Sequence, residues 1–204
     1  MSRRQSRQRQ LKREKIIFVE GDTEEHYFNM LRQRYHGGNV KVKIQNKSGL
    51  KAVTLVDEAI SWLANHRAFT GDAYVCFDND DQSEELLIKS FNRARKNNIH
   101  MIYSDICIED WLLMHFTPVQ GGPSNWRQKP WLFRQLEKHL NITDYPGHKG
   151  SDLTAWYEDR ILDADRYCRQ LTGNRPLDGA VLGKKQVYTN FNQAIRGIFE
   201  LETF

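Results

Sequence analysis

A chain of 204 residues that is 39% hydrophobic and 27% charged suits one folded domain, or one domain carrying a helical extension. No stretch approaches the ~20 apolar residues of a membrane span, and the basic start leads into no long apolar region of the secretory kind. Three scattered cysteines, Cys76, Cys107 and Cys168, argue against a disulfide framework or a Cys-x-x-Cys zinc site, so a reducing cytoplasm is the expected setting and no membrane is implied.

The formal charge of +4 is unevenly placed. Residues 1–15 carry seven Lys/Arg against the single acid Glu14, which leaves the rest of the chain at −2. Such an arm either adds sequence-independent affinity for nucleic acid, with Arg3, Arg4 and Arg7 among its contacts, or is a solvated, disordered terminus.

The first folded element is Ile16 to Val19, an unbroken apolar run that stops at Glu20-Gly21 and reads as a strand buried on both faces. Asp22 and Glu25 have capping-box spacing, and Tyr27, Phe28, Met30, Leu31 and Tyr35 then recur with helical period. His36-Gly37-Gly38-Asn39 ends that helix. Val40, Val42 and Ile44 alternate with Lys41 and Lys43, the pattern of a strand with one wet face near a sheet edge. Ala52 to Leu63 reads as a second amphipathic helix. Ala73 to Phe77 is a third strand, again ending in acid, Asp78-Asn79-Asp80-Asp81, with Asp81 placed to cap the helix that follows. That third helix carries Leu86, Leu87, Phe91 and Ala94 inward. Ile99 to Tyr103 is a fourth strand, and Asp110 to Phe116 is a tightly apolar helical piece. Beyond Pro118 and Gly121-Gly122-Pro123 the chain reads as helices over Trp131–Leu140, Asp152–Leu171 and Thr189–Leu201. The expected organisation is a basic tail (1–15), an α/β core (16–117) and a helical extension packed on it (118–204).

In a doubly wound sheet of order 2-1-3-4, strands one and three are neighbours and the chain leaves them in opposite directions at a ligand-binding switch point. Glu20 follows strand one, Asp78 and Asp80 follow strand three, and Glu109 lies just after strand four, so all four reach one rim. Carboxylates crowded in one place oppose each other's ionisation, and a bound divalent cation relieves this. Oxygen-only ligands indicate Mg²⁺ first and Mn²⁺ second, ions that usually act on phosphates.

Glu20-Gly21 after strand one, with Asp78-x-Asp80 after strand three, resembles the Toprim signature of topoisomerases, bacterial primases and nucleases related to overcoming-lysogenization-defect proteins. More narrowly, three blocks resemble the RloB-like family: Val19-Glu20-Gly21-x-Thr23-Glu24-x-x-Tyr27-Phe28, Phe77-Asp78-x-Asp80, and Glu109-x-Trp111-Leu112-Leu113-x-His115-Phe116. Tyr145 to Lys149 and Thr189-Asn190 are weaker echoes. Asp105-Ile106 stands where the family tends to have Asn-Pro, and Asp110 replaces an apolar residue. The resemblance implies a Toprim-like parallel four-stranded sheet, order 2-1-3-4, flanked by helices and followed by a C-terminal helical extension. It implies Glu20 as acid/base or metal ligand, the aspartates as holders of the ion, and a setting beside restriction and abortive-infection genes with an ATPase partner.

Some residues keep two readings. Glu24 belongs to the first block and has no capping role, so it is either part of the site or a surface acid. Glu109 either joins the site or simply begins a helix. Lys149 either binds phosphate or is solvated. Lys41, Lys43, Lys47 and Lys51 either flank a nucleic-acid groove or form the wet side of an edge strand. His115, rotated about 240° from Glu109 on a helix, reads as a core histidine bonded to backbone. The leading functional expectation is a Mg²⁺-dependent nuclease acting on DNA or RNA, tRNA included, in antiphage defence. The rival is a catalytically silent Toprim binding module of a larger defence complex, which the acidic body favours. The chain is too short for strand-passage domains and lacks template and nucleotide modules, which disfavours a topoisomerase or a primase.

Overall fold

The computed structural model describes residues 13–36, 40–50, 52–79, 81–120, 128–152, 154–184, 186–202 and 204. Strands β1 (Arg13–Val19), β2 (Val40–Asn46), β3 (Asp72–Asp78) and β4 (Ile99–Ser104) form one sheet of order β2-β1-β3-β4, parallel throughout. Helices α1 (Asp22–Arg34), α2 (Ala52–Asn65) and α3 (Glu84–Lys96) provide the crossovers. The two central strands owe their continuous apolar sequence to being covered on both sides. Ile17 and Val19 of β1, with Tyr74 and Cys76 of β3, face a core shared with α1. Ile16, Phe18, Val75 and Phe77 face the opposite core, built with α2 and α3. The alternation of strand side chains therefore feeds two hydrophobic cores from one run of residues.

β2 is an edge strand, as its alternating Lys41 and Lys43 suggest. β1 begins three residues before the apolar run, so Arg13 to Lys15, expected in the tail, belong to the sheet. Lys15 is 4% exposed and paired with Asp72, while Arg13 reaches Glu200 at 3.1 Å. These pairs carry the strand through positions that hydropathy alone assigns to solvent.

After β4 come α4 (Ile108–Leu113), α5 (Lys129–Leu140), the single turn α6 (Tyr145–His148), α7 (Ile161–Thr172) and α8 (Phe191–Phe199). They share the α1-side core: Leu132, Leu136, Leu140, Tyr157, Ile161, Cys168, Phe191 and Ile195 pack in one cluster with β1 and β3 residues. The helix expected over Asp152–Leu171 is broken. Asp152 accepts from the Thr154 backbone N–H at 3.1 Å, a local turn that competes with helix, and two 3₁₀ turns (Thr154–Trp156, Glu158–Arg160) precede α7. The last helix starts at Phe191 rather than Thr189, because Thr189 bridges Ser104 in antiparallel fashion. Asn190 then completes the outer edge of β4: its Oδ1 accepts from the Tyr103 N–H at 2.8 Å and its Nδ2 donates to the Met101 carbonyl at 2.9 Å. An exposed strand edge is thereby closed by the chain's own C-terminal segment. Among the described residues no helix is long and apolar enough to cross a membrane.

Candidate functional site

Val19 of β1 is level with Cys76 of β3, so Glu20 and Asp78 leave adjacent strands one register step apart at the C-terminal rim. Gly21 is the N-cap of α1, and the helix starts without a side-chain cap. A Cβ on Gly21 would lie 3.1 Å from Glu24 Oε2; glycine lets that carboxylate fold back over the turn. Asp78 Oδ2 accepts from the Ile108 N–H at 3.1 Å, tying the end of β3 to the start of α4. The next residue, Glu109, is fully buried, and Glu24 is 7% exposed.

The electrostatics bind these positions into one group. Burial pushes the Glu24 carboxyl up to about 7, and the charges of Glu109 and Glu20 add to it. Asp78 is raised well above the usual carboxylate range, first by desolvation and then by Glu24, Glu109 and Glu20. The Ile108 N–H works against that rise without cancelling it. Burial and the charges of Glu20 and Glu109 thus act together on Glu24 of α1 and Asp78 of β3.

Among the described residues Lys149 brings a cation to Glu109. Lys149 Nζ lies 2.8 Å from Glu109 Oε1, with Phe133 beneath the ammonium at 5.3 Å. Burial lowers the lysine pKa, but the Glu109 carboxylate outweighs it and the net shift is upward. Gly150 follows with φ +84°, and its carbonyl accepts from His26 Nε2 at 3.0 Å, so the α6 turn is fastened to α1. Tyr145, also on α6, is buried, and its hydroxyl pKa is raised by burial first and by Glu109 second. Lys149 and Glu24, each given two readings in the sequence, therefore fall at the rim with Glu20, Asp78 and Glu109.

Other expectations fare differently. Asp80, Arg3, Arg4 and Arg7 lie outside the described residues. Lys47 pairs with Glu58 at 2.7 Å, and Lys41 and Lys43 approach Glu14 at 2.9 and 3.7 Å, so these lysines form the salt-bridged side of the edge strand. Asp22 and Glu25 make no capping box. Both accept from Asn46 Nδ2, at 2.6 and 2.9 Å, holding the end of β2 against α1. Asp81 does not cap α3; Ser83 does, accepting from the Leu86 N–H. His115 is the core residue expected. Its Nδ1 donates to the carbonyls of Trp111 and Leu112, which leaves Nε2 to accept from the Tyr27 hydroxyl at 3.0 Å. Desolvation lowers its pKa to about 4.

Asp110 was not expected to matter. It is fully buried, and neither carboxylate oxygen has a hydrogen-bond partner. Desolvation raises its pKa well above the usual range, Glu109 and Asp105 add to the rise, and the Cys107 N–H and Lys129 oppose it.

Among the described residues no three His, Cys, Asp or Glu side chains stand in an arrangement ready to hold a metal ion. The donors at the rim are nonetheless all hard oxygens, and burial together with neighbouring carboxylates holds Glu24 and Asp78 above the usual range, so their chemistry fits a hard divalent cation.

No curated protein and no solved structure matches the chain. A family model described as RloB-like protein matches residues 15–197, a span that runs from within β1 through the acidic rim and Lys149 into α8. The chain belongs to the RloB-like family.

Proposed function

We propose that this protein is a metal-dependent nuclease that hydrolyses phosphodiester bonds of DNA or RNA, tRNA included, in antiphage defence. The observation that carries the reading is that burial and the nearby charges of Glu109 and Glu20 raise the carboxyls of both Glu24 and Asp78, with Lys149 on Glu109 beside them. Uncompensated buried charge is costly, and a group that persists in that state is a candidate site. Glu20 and Asp78, at the ends of β1 and β3, are the residues that would hold Mg²⁺ or Mn²⁺, with Asp80 expected beside them. Such an ion polarises a phosphoryl oxygen and makes a bound water more acidic.

The chain's own side chains supply the rest. Glu24, with its carboxyl pushed up to about 7, is poised to accept a proton from the attacking water near neutral pH and to release it again. Glu20 is the alternative proton acceptor on the same rim. Lys149, held by Glu109 and seated on Phe133, presents an ammonium to a non-bridging phosphate oxygen. Glu109 then acts through Lys149, by orienting it. An ATPase partner is the expected associate of this module.

A second reading, a catalytically silent binding module of a multi-protein defence complex, is favoured by one observation. Lys41, Lys43 and Lys47 are neutralised by Glu14 and Glu58, which leaves that flank, among the described residues, without a free basic path for a strand. Incubation of wild type and Asp78→Asn with total cellular nucleic acid and Mg²⁺ or Mn²⁺, followed by sequencing of new ends, separates the two. The nuclease reading expects cation-dependent ends that vanish in the variant. Ends that are absent, or equal in both proteins, leave the binding module.

A further inference from the structure

The C-terminal segment closes the outer edge of β4 only from the Met101 carbonyl onward. The Asp105 N–H donates to the Tyr188 carbonyl at 2.9 Å and the Asn190 N–H to the Tyr103 carbonyl at 3.3 Å. The Asn190 side chain takes the Tyr103 N–H and the Met101 carbonyl. A strand residue points its N–H and C=O to one side, and the side alternates from residue to residue. The Met101 carbonyl therefore marks both Met101 and Ile99 as facing outward. Among the described residues, the Met101 N–H and the two backbone groups of Ile99 have no partner. The first half of the β4 edge is open.

That open stretch runs along a groove of about 780 Å³. Phe91, Arg95 and Leu177 line it on the side of α3, and Tyr74, His100 and Gly197 on the side of α8. The wall that carries Leu177 is fixed at its start, where the Arg175 carbonyl accepts from the Tyr188 hydroxyl and the Gln193 amide, each at 3.0 Å. The groove is thus built by the fold, and it continues the line along which residues 188–190 already pair with β4.

Backbone donors and an acceptor in strand spacing are matched by another extended backbone, which supplies the complementary groups at the same repeat. Side chains alternating along such a strand would meet two different walls. Towards α3 they meet the apolar faces of Phe91 and Leu177. Beside these stands Arg95, exposed on the last turn of α3 and in no ion pair among the described residues, which calls for an acid. Towards α8 they meet the Tyr74–His100 stack, with ring centroids at 4.9 Å, and the space that Gly197 leaves by having no side chain.

We propose that this groove is a docking site for an extended, acidic-apolar peptide segment of a partner protein, which adds to the sheet beside Ile99 and Met101. In strand addition the main-chain bonds give affinity and the pockets for alternate side chains give specificity. The inference does not rest on the nuclease reading. The groove lies at the N-terminal ends of β3 and β4 and the acidic rim at the C-terminal end of the sheet, so a bound peptide leaves the rim uncovered.

The test is selection from a phage-displayed library of random octapeptides on the full chain, followed by calorimetry of the selected synthetic peptides against wild type, Gly197→Leu and Arg95→Glu. A Cβ on Gly197 would meet only the Tyr74 hydroxyl, at 3.7 Å. Leucine there extends into the groove from a helical position that favours it over glycine, so the variant should melt no lower than wild type. Selected peptides should alternate apolar residues and carry an Asp or Glu, and both variants should bind them at least about tenfold more weakly. N-methylation of every second peptide amide removes main-chain donors and keeps every side chain. One of its two phases should lose binding and the other retain it, because only alternate amides face β4. The proposal is overturned if no selected peptide distinguishes wild type from Gly197→Leu, or if both N-methylated forms bind as well as the unmodified peptide. A wild-type dimer in sedimentation that Gly197→Leu dissociates would also overturn it, by giving the groove to a second copy of this chain.

Discussion

The same two helices build an acidic rim and an aromatic plug a few residues apart, and the two differ in how their buried polar groups are satisfied. α1 contributes Glu24 to the rim and Tyr27 to the plug; α4 contributes Glu109 to the rim and Trp111 to the plug, with His115 just beyond its end. In the plug, both His115 nitrogens have partners, and its ring packs edge-on against Tyr27, Trp111 and Tyr157 at 5.2–5.6 Å. Trp111 stacks on Phe191 at 5.8 Å, joining α4 to the C-terminal helix. At the rim, burial first and the charges of Glu20 and Glu109 next raise the carboxyls of Glu24 and Asp78, with Lys149 paired to Glu109. A buried polar group with all its partners holds a fold together, whereas one held against its own preference is a candidate for function.

The comparison breaks most sharply on activity. Asp78→Asn should lower cation-dependent cleavage by about a hundredfold or more, while the metal-free variant melts no lower than wild type, because it removes a charge its neighbours oppose. Full cleavage by Asp78→Asn, or a marked drop in its metal-free melting temperature, would move Asp78 to the structural side.

His115→Ala should do the reverse. Losing a buried ring and leaving the Tyr27 hydroxyl unpaired costs about 3 kcal/mol, roughly 6–12 °C in melting temperature for a chain of this size. Cleavage per folded molecule should stay within about twofold. A large loss of cleavage at unchanged melting temperature would place His115 in the site.

The two regions also carry opposite pH signatures. Glu24 is raised from 4.5 to about 7, so its stabilising share is full below 4.5 and is lost as pH rises through 7. His115 is lowered from 6.5 to about 4, so its share is present above 6.5 and is lost as pH falls towards 4. Melting profiles of the metal-free protein between pH 4.5 and 8 should show Glu24→Gln gaining on wild type as pH rises, at up to ~1.4 kcal/mol per unit. Parallel profiles would mean that neither burial nor the other acids raise the Glu24 carboxyl.

The smallest effect concerns the arm. Deleting residues 1–12, which stops short of β1, should weaken nucleic-acid binding modestly and flatten its salt dependence by ~0.7–0.9 in log–log slope per lost phosphate contact. An unchanged slope in a filter-binding titration would show that the arm touches no phosphate.

Much of this was readable in the sequence because β-branched runs, sharp acidic stops and helical spacing agree with one another. The βαβαβαβ succession and the acids at the ends of strands one and three follow from those; the sheet order came with the family resemblance, and it sets Glu20 beside Asp78. Long-range pairing was less legible. Nothing in spacing brings Lys149 to Glu109, since a single turn on a distant segment, fastened through Gly150 and His26, makes that contact. Local rules misled where a tertiary partner outcompeted them, as Asn46 did for Asp22 and Glu25 and Ser104 did for Thr189. Asp110 shows the opposite failure: an acid in the first turn of a helix reads as a solvated group, and nothing in the spacing shows that it is fully buried.

The central claim, that the rim is a cation site, is tested most directly by a melting titration with Mg²⁺ at pH 7.5 on wild type and Asp78→Asn. Mass action predicts a wild-type melting temperature that climbs with the logarithm of cation concentration once it exceeds the Kd, and a variant that does not climb. A wild-type curve that stays flat through millimolar Mg²⁺ and Mn²⁺, or a variant that climbs equally, would contradict it.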